Sequence, residues 1–117
     1  GSGGHSDAAA GAKMTIITAN LTRSRIAVIK DRVRTICTPG ETVDVLVTEW
    51  GIAVNPRRTD LLERFTKAKL PVHSIEKLRE KAERLCGKAR PIPEGERIVG
   101  LVEYRDGTII DVVRARA

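Results

Sequence analysis

The stretch GETVDVLVTEWGIAVNPRR, residues 40–58, decides how this chain is read. Val43, Val45 and Val47 alternate with Asp44, Leu46 and Thr48, which is the period of a strand with at least one apolar face. Gly51 interrupts the strand, and Ile52, Ala53 and Val54 resume it. Asn55-Pro56 ends the ladder, because a proline has no N–H to give and drives the residue before it out of the helical region. Arg57 and Arg58 therefore stand on a loop, where a fork of donors meets a carboxylate or phosphate; the plainer alternative is a pair of exposed charges.

Outward from this strand the chain alternates β-like and helical segments. Residues 1–13 are rich in Gly and Ala and read as a loop leading to a short helical turn. Residues 14–73 hold the core strands and one short helix. Met14–Ala19, Arg25–Lys30 and Val33–Thr38 are the β-like runs, the last closed by a Pro39-Gly40 turn with glycine at positive φ. Asp60–Ala68 is the short helix, capped by Thr59 or Asp60, with Leu61, Leu62 and Phe65 inward. Residues 74–87 form a second helix, with Ser74 as N-cap, Ile75, Leu78, Ala82 and Leu85 on one face, and Gly87 as C-cap. A Glu80–Arg84 pair is spaced to support it. Residues 88–97, with Pro91, Pro93 and Gly95, form a linker, and 98–114 a hairpin turning at Asp106-Gly107 in a type I′ turn. The fold class is α/β, ending in an antiparallel hairpin.

A chain of 117 residues is one domain at most, and with 3% aromatics its core is built from Ile, Val, Leu and Ala. The 21 basic and 15 acidic residues give +6. The two signs are interspersed, and Trp50, Phe65 and Tyr104 are too scattered to stack bases, so nucleic acid is not the expected partner. A basic edge does attract a ligand that carries phosphates. Cys37 and Cys86 form neither a disulfide framework nor a metal-ligand spacing, so no metal is expected and buried free thiols are. No apolar run is long enough to span a bilayer, and a cytoplasmic location is expected. Gly1-Ser2 is either the remnant of a cleaved tag or native.

Among residue types that carry chemistry, Gly3 and Gly4 come first. A glycine pair lets the backbone approach a ligand and offer N–H groups to an oxyanion, or else simply makes a flexible end. His5 is a candidate general base with Asp7 as its orienting partner, the alternative being a loop-stabilising pair. His73 has no constellation around it.

The wording of GGHSDAAAGAK (residues 3–13), TIITANL, TPGETVDVLVTE, GIAVNPRR, LPVHSIEKLREKAERLCGK and VEYRDGTIIDVVR resembles the citrate lyase alpha subunit family, within the wider acyl-CoA transferases. Nearly the whole chain takes part. The departures are Trp50, where a smaller or charged residue is expected, and Thr59, where a proline is. The resemblance implies a C-terminal fragment of a CoA-transferase-like α/β domain, inactive alone. It implies transfer of an acyl carrier protein thioester from acetate to citrate through a mixed anhydride, with no covalent enzyme intermediate. Gly3 and Gly4 would then lie beside the thioester, and His5, Asp7, Arg57 and Arg58 would bind substrate. Glu49 would close a local hydrogen bond rather than act as nucleophile. No cofactor is implied on the chain itself, the ligand being the CoA-like prosthetic group of the carrier. The implied partners are citrate and the acyl carrier protein (gamma) and beta subunits, and uncovered strand edges point to self-association. The rival readings are a broader acyl-CoA:carboxylate CoA-transferase, a non-catalytic assembly fragment of the lyase, and a basic nucleic-acid binder.

Overall fold

The computed structural model describes residues 2–117, with side chains from residue 3. A helix, Ser2–Gly11 (α1), leads to a short strand, Ile16–Thr18 (β1), and a small hairpin, Thr22–Arg23 (β2) and Ile26–Ala27 (β3). Irregular chain and a 3-10 turn at Gly40–Thr42 precede Val45–Thr48 (β4) and Gly51–Val54 (β5). Helices Thr59–Lys67 (α2) and Ile75–Cys86 (α3) follow, then a long hairpin of Glu94–Glu103 (β6) and Ile109–Arg116 (β7).

The central sheet has the order β1-β4-β5, parallel between β1 and β4 and antiparallel between β4 and β5. Its period-2 pattern feeds two small cores. Leu46 and Ala53 point to the face where Leu78 and Ala82 of α3 meet Leu21 and Ala27. Val45 and Val54, flanked by Val47 and Ile52, point to the other, where Leu61 of α2 is buried with Leu62, Phe65 and Val72 around it. One strand pair thus carries a helix on each side, as a mixed α/β layer requires.

Gly51 does more than interrupt a strand. Thr48 pairs with Gly51, so the chain reverses through Glu49-Trp50 and β5 returns antiparallel beside β4. Thr48 Oγ1 closes this turn by accepting from the Trp50 amide at 3.2 Å and donating to the Gly51 carbonyl at 2.8 Å. Gly51 has φ +150°, and a Cβ there would stand 2.9 Å from the Pro71 carbonyl oxygen and 2.5 Å from the His73 ring.

Ser74 caps α3 as expected, its hydroxyl accepting from the Lys77 amide at 3.2 Å, and Gly87 ends the helix at φ 80°. Leu78 and Ala82 are buried, whereas Ile75 and Leu85 remain exposed. Helix α2 begins at Thr59, and the capping position falls on Arg58 with no side-chain cap bond, so neither Thr59 nor Asp60 caps it. The i,i+4 pair that forms is Lys67–Glu63 at 2.8 Å; no Glu80–Arg84 ion pair exists among the described residues.

Several expectations need correction. Residues 2–11 are a helix rather than a loop, because Ala8-Ala9-Ala10 is a strong helix former and Ser6 and Ala9 are buried. Pro39-Gly40 enters a 3-10 turn, and Gly40 has no positive φ. Of the two runs between Arg25 and Thr38, only Ile26–Ala27 is a strand; Val33–Thr38 finds no strand partner. Instead the long hairpin holds it through Arg34–Glu94 at 2.8 Å, the Ile36 amide on Asp111 at 2.7 Å, and the Thr35 hydroxyl on the Val112 carbonyl at 3.4 Å. The Ile36 amide bond, with a second from the Val112 amide at 2.7 Å, holds the Asp111 carboxyl below its usual range. The linker is shorter than expected, since β6 starts at Glu94. The hairpin turn is not type I′: only Gly107 has positive φ, and Tyr104 and Thr108 close a longer loop at 2.7 Å. Cys37 is exposed and Cys86 half-buried, so neither is a fully buried thiol.

The hairpin stands off from the sheet. The radius of gyration is 15.8 Å, above the ~13 Å of a compact chain of this length. Ile98, Val99, Leu101 and Ile109 of the hairpin are all exposed.

Candidate functional site

Two of the residues singled out by the sequence, His5 and Arg57, border the loop 38–42. Thr42 folds this loop on itself, its hydroxyl and amide both donating to the Pro39 carbonyl, at 2.7 and 3.0 Å. Asn55 fastens the loop to the end of β5. Its side-chain amide donates to the Val43 carbonyl at 3.0 Å and the Gly40 carbonyl at 3.4 Å, while its oxygen accepts from the Arg57 amide at 3.1 Å. This last bond is the Asx turn that a strand-ending asparagine favours.

The two arginines have different surroundings. Arg57 is 75% exposed, with only Glu41 of the loop near it at 3.7 Å. Arg58 spreads its fork over Asp60, Nε and Nη2 each donating at 3.0 Å, and sends Nη1 to Asp44 at 2.8 Å. The other Asp44 oxygen accepts from the Thr15 amide at 2.7 Å. Arg58 is thereby a tie between β1, β4 and α2. The arrangement raises its pKa, through the Asp60 bond first and the Asp44 bond next, and lowers that of Asp60 to about 2.

On the other side of the loop lies α1. Gly3 and Gly4 sit in its first turn, where backbone N–H groups have no partner within the helix. A Cβ at either glycine would meet no atom within 4 Å, so this surface is open. His5 follows, and its Nδ1 stands 2.8 Å from Thr38 Oγ1 at the start of the loop. Asp7 does not share its side. Two residues along a helix turn through about 200°, so the pairing expected in an extended loop does not arise. Hence the loop joins His5 on one flank to Arg57 on the other, while Arg58 is engaged beneath.

Glu49 lies at the carboxyl ends of the parallel strands β1 and β4, and both its oxygens accept from the Leu21 amide at 3.0 Å. It makes a hydrogen bond at the strand end, as expected, but to a residue 28 positions away rather than to a near neighbour. His73 packs over Gly51 and returns its amide to the Ile52 carbonyl at 2.8 Å, a structural role. Among the described residues no group of three His, Cys, Asp or Glu side chains could hold a metal ion, and no helix is long and apolar enough to cross a membrane. Sequence reasoning missed Thr38 and Asn55. Asn55 was visible as an Asn-Pro turn signal; Thr38 carried none, since its partner lies 33 residues away.

The family model for citrate lyase, alpha subunit (CitF), matches residues 1–116. The chain belongs to the citrate lyase alpha subunit family. It is 55% identical over 113 residues to the citrate lyase alpha chain of Klebsiella pneumoniae, and 52% identical over 112 residues to that of Escherichia coli strain K12. These matches take in 97% and 96% of the chain, but the chain spans only 22% of the length of either relative. A crystal structure from Streptococcus mutans, assigned as the alpha subunit of citrate lyase in complex with citrate, superposes with a TM-score of 0.93 at 52% identity, covering 99% of this chain and 23% of that one. The α/β layer described above is therefore shared with part of that alpha subunit.

Proposed function

We propose that this chain forms part of the transfer site of citrate lyase, in a CoA-transferase-like domain that moves an acyl carrier protein thioester from acetate to citrate. The observation that carries this reading is the shared loop 38–42, which links the open first turn of α1 and His5 to the exposed Arg57. It is supported by the family and by the citrate in the related structure. In the reaction a citrate carboxylate oxygen attacks the acetyl thioester carbon, the C–S bond breaks, and the carrier's thiolate leaves with the electron pair. The thiolate then attacks the citryl carbonyl of the mixed anhydride and acetate departs. No proton changes hands, so the chemistry asks for positioning and for donors at the developing oxyanion. The Gly3 and Gly4 amides and His5 supply donors, and Arg57 faces a citrate carboxylate or a phosphate of the carrier's CoA-like arm, while Asp7, about 200° round the helix from His5, is left out of the site. Arg58 contributes by holding the turn that presents Arg57.

The beta and gamma subunits of the lyase are the proposed partners. The exposed apolar residues of the long hairpin supply a surface for such contacts or for self-association. The test is acetyl-to-citryl exchange on the carrier by the complete subunit. Arg57→Ala is expected to raise the citrate or carrier KM by about tenfold, as loss of a charge-assisted hydrogen bond does, with melting unchanged. Arg58→Ala is expected to lower the melting temperature as well. Unaltered kinetics in Arg57→Ala would remove the arginine from the site, and no exchange by the wild-type subunit would end the reading.

A further inference from the structure

Thr38 belongs to no motif, yet its hydroxyl is the one hydrogen-bond partner of the His5 ring among the described residues, Oγ1 to Nδ1 at 2.8 Å. The loop that presents it is held from both ends. The Thr42 bonds to Pro39 and the Asn55 bonds to Gly40 and Val43 fix its far side. The Ile36–Asp111 bond fixes the approach two residues before Thr38. A hydroxyl so held is a positioned group on an otherwise exposed ring.

We propose that Thr38 is a positioning residue: its hydroxyl donates to Nδ1 of His5, keeps the ring proton on Nε2, and so presents Nε2–H to the substrate carbonyl oxygen. This rests on the transferase reading above. The reaction chooses the direction of the bond, since a threonine hydroxyl both donates and accepts. The reaction transfers no proton from citrate, whose attacking group is already a carboxylate, so a base at this place has nothing to remove. A donor has work there, because each of the two acyl steps builds negative charge on a carbonyl oxygen. A His5 with its proton on Nδ1 would turn a bare lone pair toward that charge and oppose it. Thr38 thus converts a residue that reads as a general base into an oxyanion donor.

Of the two histidines in this chain, the His5 signal in the complete subunit is assigned by its loss in His5→Ala. Nitrogen-15 spectra of histidine-labelled protein report the tautomer of each ring, with His73 as internal control for the fold. His5 is expected in the Nε2–H form in the wild type and in Thr38→Ser, and as a mixture in Thr38→Val, with His73 unmoved in all three. In the exchange assay Thr38→Val is expected to lower kcat by about tenfold, a transition-state contribution of one hydrogen bond, leaving the citrate KM within twofold, and Thr38→Ser to restore it. A His5 in the Nδ1–H form, or identical His5 spectra and kcat in Thr38→Val, overturns the proposal. If His5→Ala abolishes exchange while Thr38→Val leaves it whole, the positioning role fails and the transferase reading stands. If His5→Ala exchanges at the wild-type rate, the role assigned to His5 fails with it.

Discussion

Replacing Gly51 with alanine tests the turn on which the sheet depends. Two costs are built into the position. The backbone there has φ +150°, a region that side chains with a Cβ rarely adopt, and the new methyl would lie 2.9 Å from the Pro71 carbonyl oxygen and 2.5 Å from His73 Cδ2. The imidazole can swing aside, but the carbonyl cannot move freely, because it accepts from the Ile52 amide at 2.9 Å. Backbone strain of this kind and overpacking each cost about 1–3 kcal/mol, so a loss near 3 kcal/mol is expected. For a domain of this size that corresponds to about 12 °C in melting temperature. Gly40→Ala is the control, since that position has nothing within 4 Å and no positive φ. In Gly51→Ala/His73→Ala the ring clash is gone while the carbonyl and φ costs remain, so only part of the loss is recovered. Calorimetry on the four proteins separates the terms. A Gly51→Ala melting within 3 °C of the wild type, or full recovery in the double variant, would refute the strain argument.

Leu21 is fully buried between Ala27, Ala53, Leu78 and Ala82; Leu21→Ala is expected to cost about 3 kcal/mol in urea unfolding with an unchanged slope, and a loss under 1 kcal/mol would mean that the small core collapses around the gap. Glu49→Gln keeps one acceptor for the Leu21 amide and Glu49→Ala keeps none, so the first is expected to cost about 1 kcal/mol and the second about 2; equal losses would mean that the amide finds water. Asp60 has its pKa lowered from 3.8 to about 2 by the Arg58 bond, so its contribution is whole above pH 3.8 and disappears as pH falls to about 2. Urea midpoints of the wild type and Asp60→Asn are therefore expected to converge between pH 4 and pH 2, and a constant gap across that window would show that Asp60 does not titrate with folding.

The strand composition of β4 and β5 was legible, though not the reversal between them, and so were the caps of α3. Val45, Val47, Ile52 and Val54 declare a buried face by alternation, and Ser74 and Gly87 bracket α3 through local rules. Legibility failed where partners lie far along the chain. Val33–Thr38 has strand-like composition, but side chains and carbonyls of the hairpin satisfy it, and no local pattern encodes that. Residues 2–11 failed for another reason: glycines at the front of the segment outweighed the alanines behind them, although Gly3 and Gly4 fall in the first turn, where their flexibility costs least. At the site, Arg57 and Arg58 read alike in sequence. The fold separates them, because Asp60 takes two donors of the Arg58 guanidinium and Asp44, 14 residues earlier, takes a third.

The bonds that hold residues 34–36 reach Glu94, Asp111 and Val112, which lie 60, 75 and 77 positions further along the chain. At about 5–20 residues per second of translation, a growing polypeptide spends roughly 4–15 s with this segment made and its clasp not yet made. Thr38 follows two residues later, so the approach to its loop is unanchored through the same interval, although the Thr42 and Asn55 bonds already hold the far side. Completion of the hairpin, far from the loop in sequence, closes the clasp on residues 34–36, and a nascent chain halted within β6 carries Thr38 without that anchor.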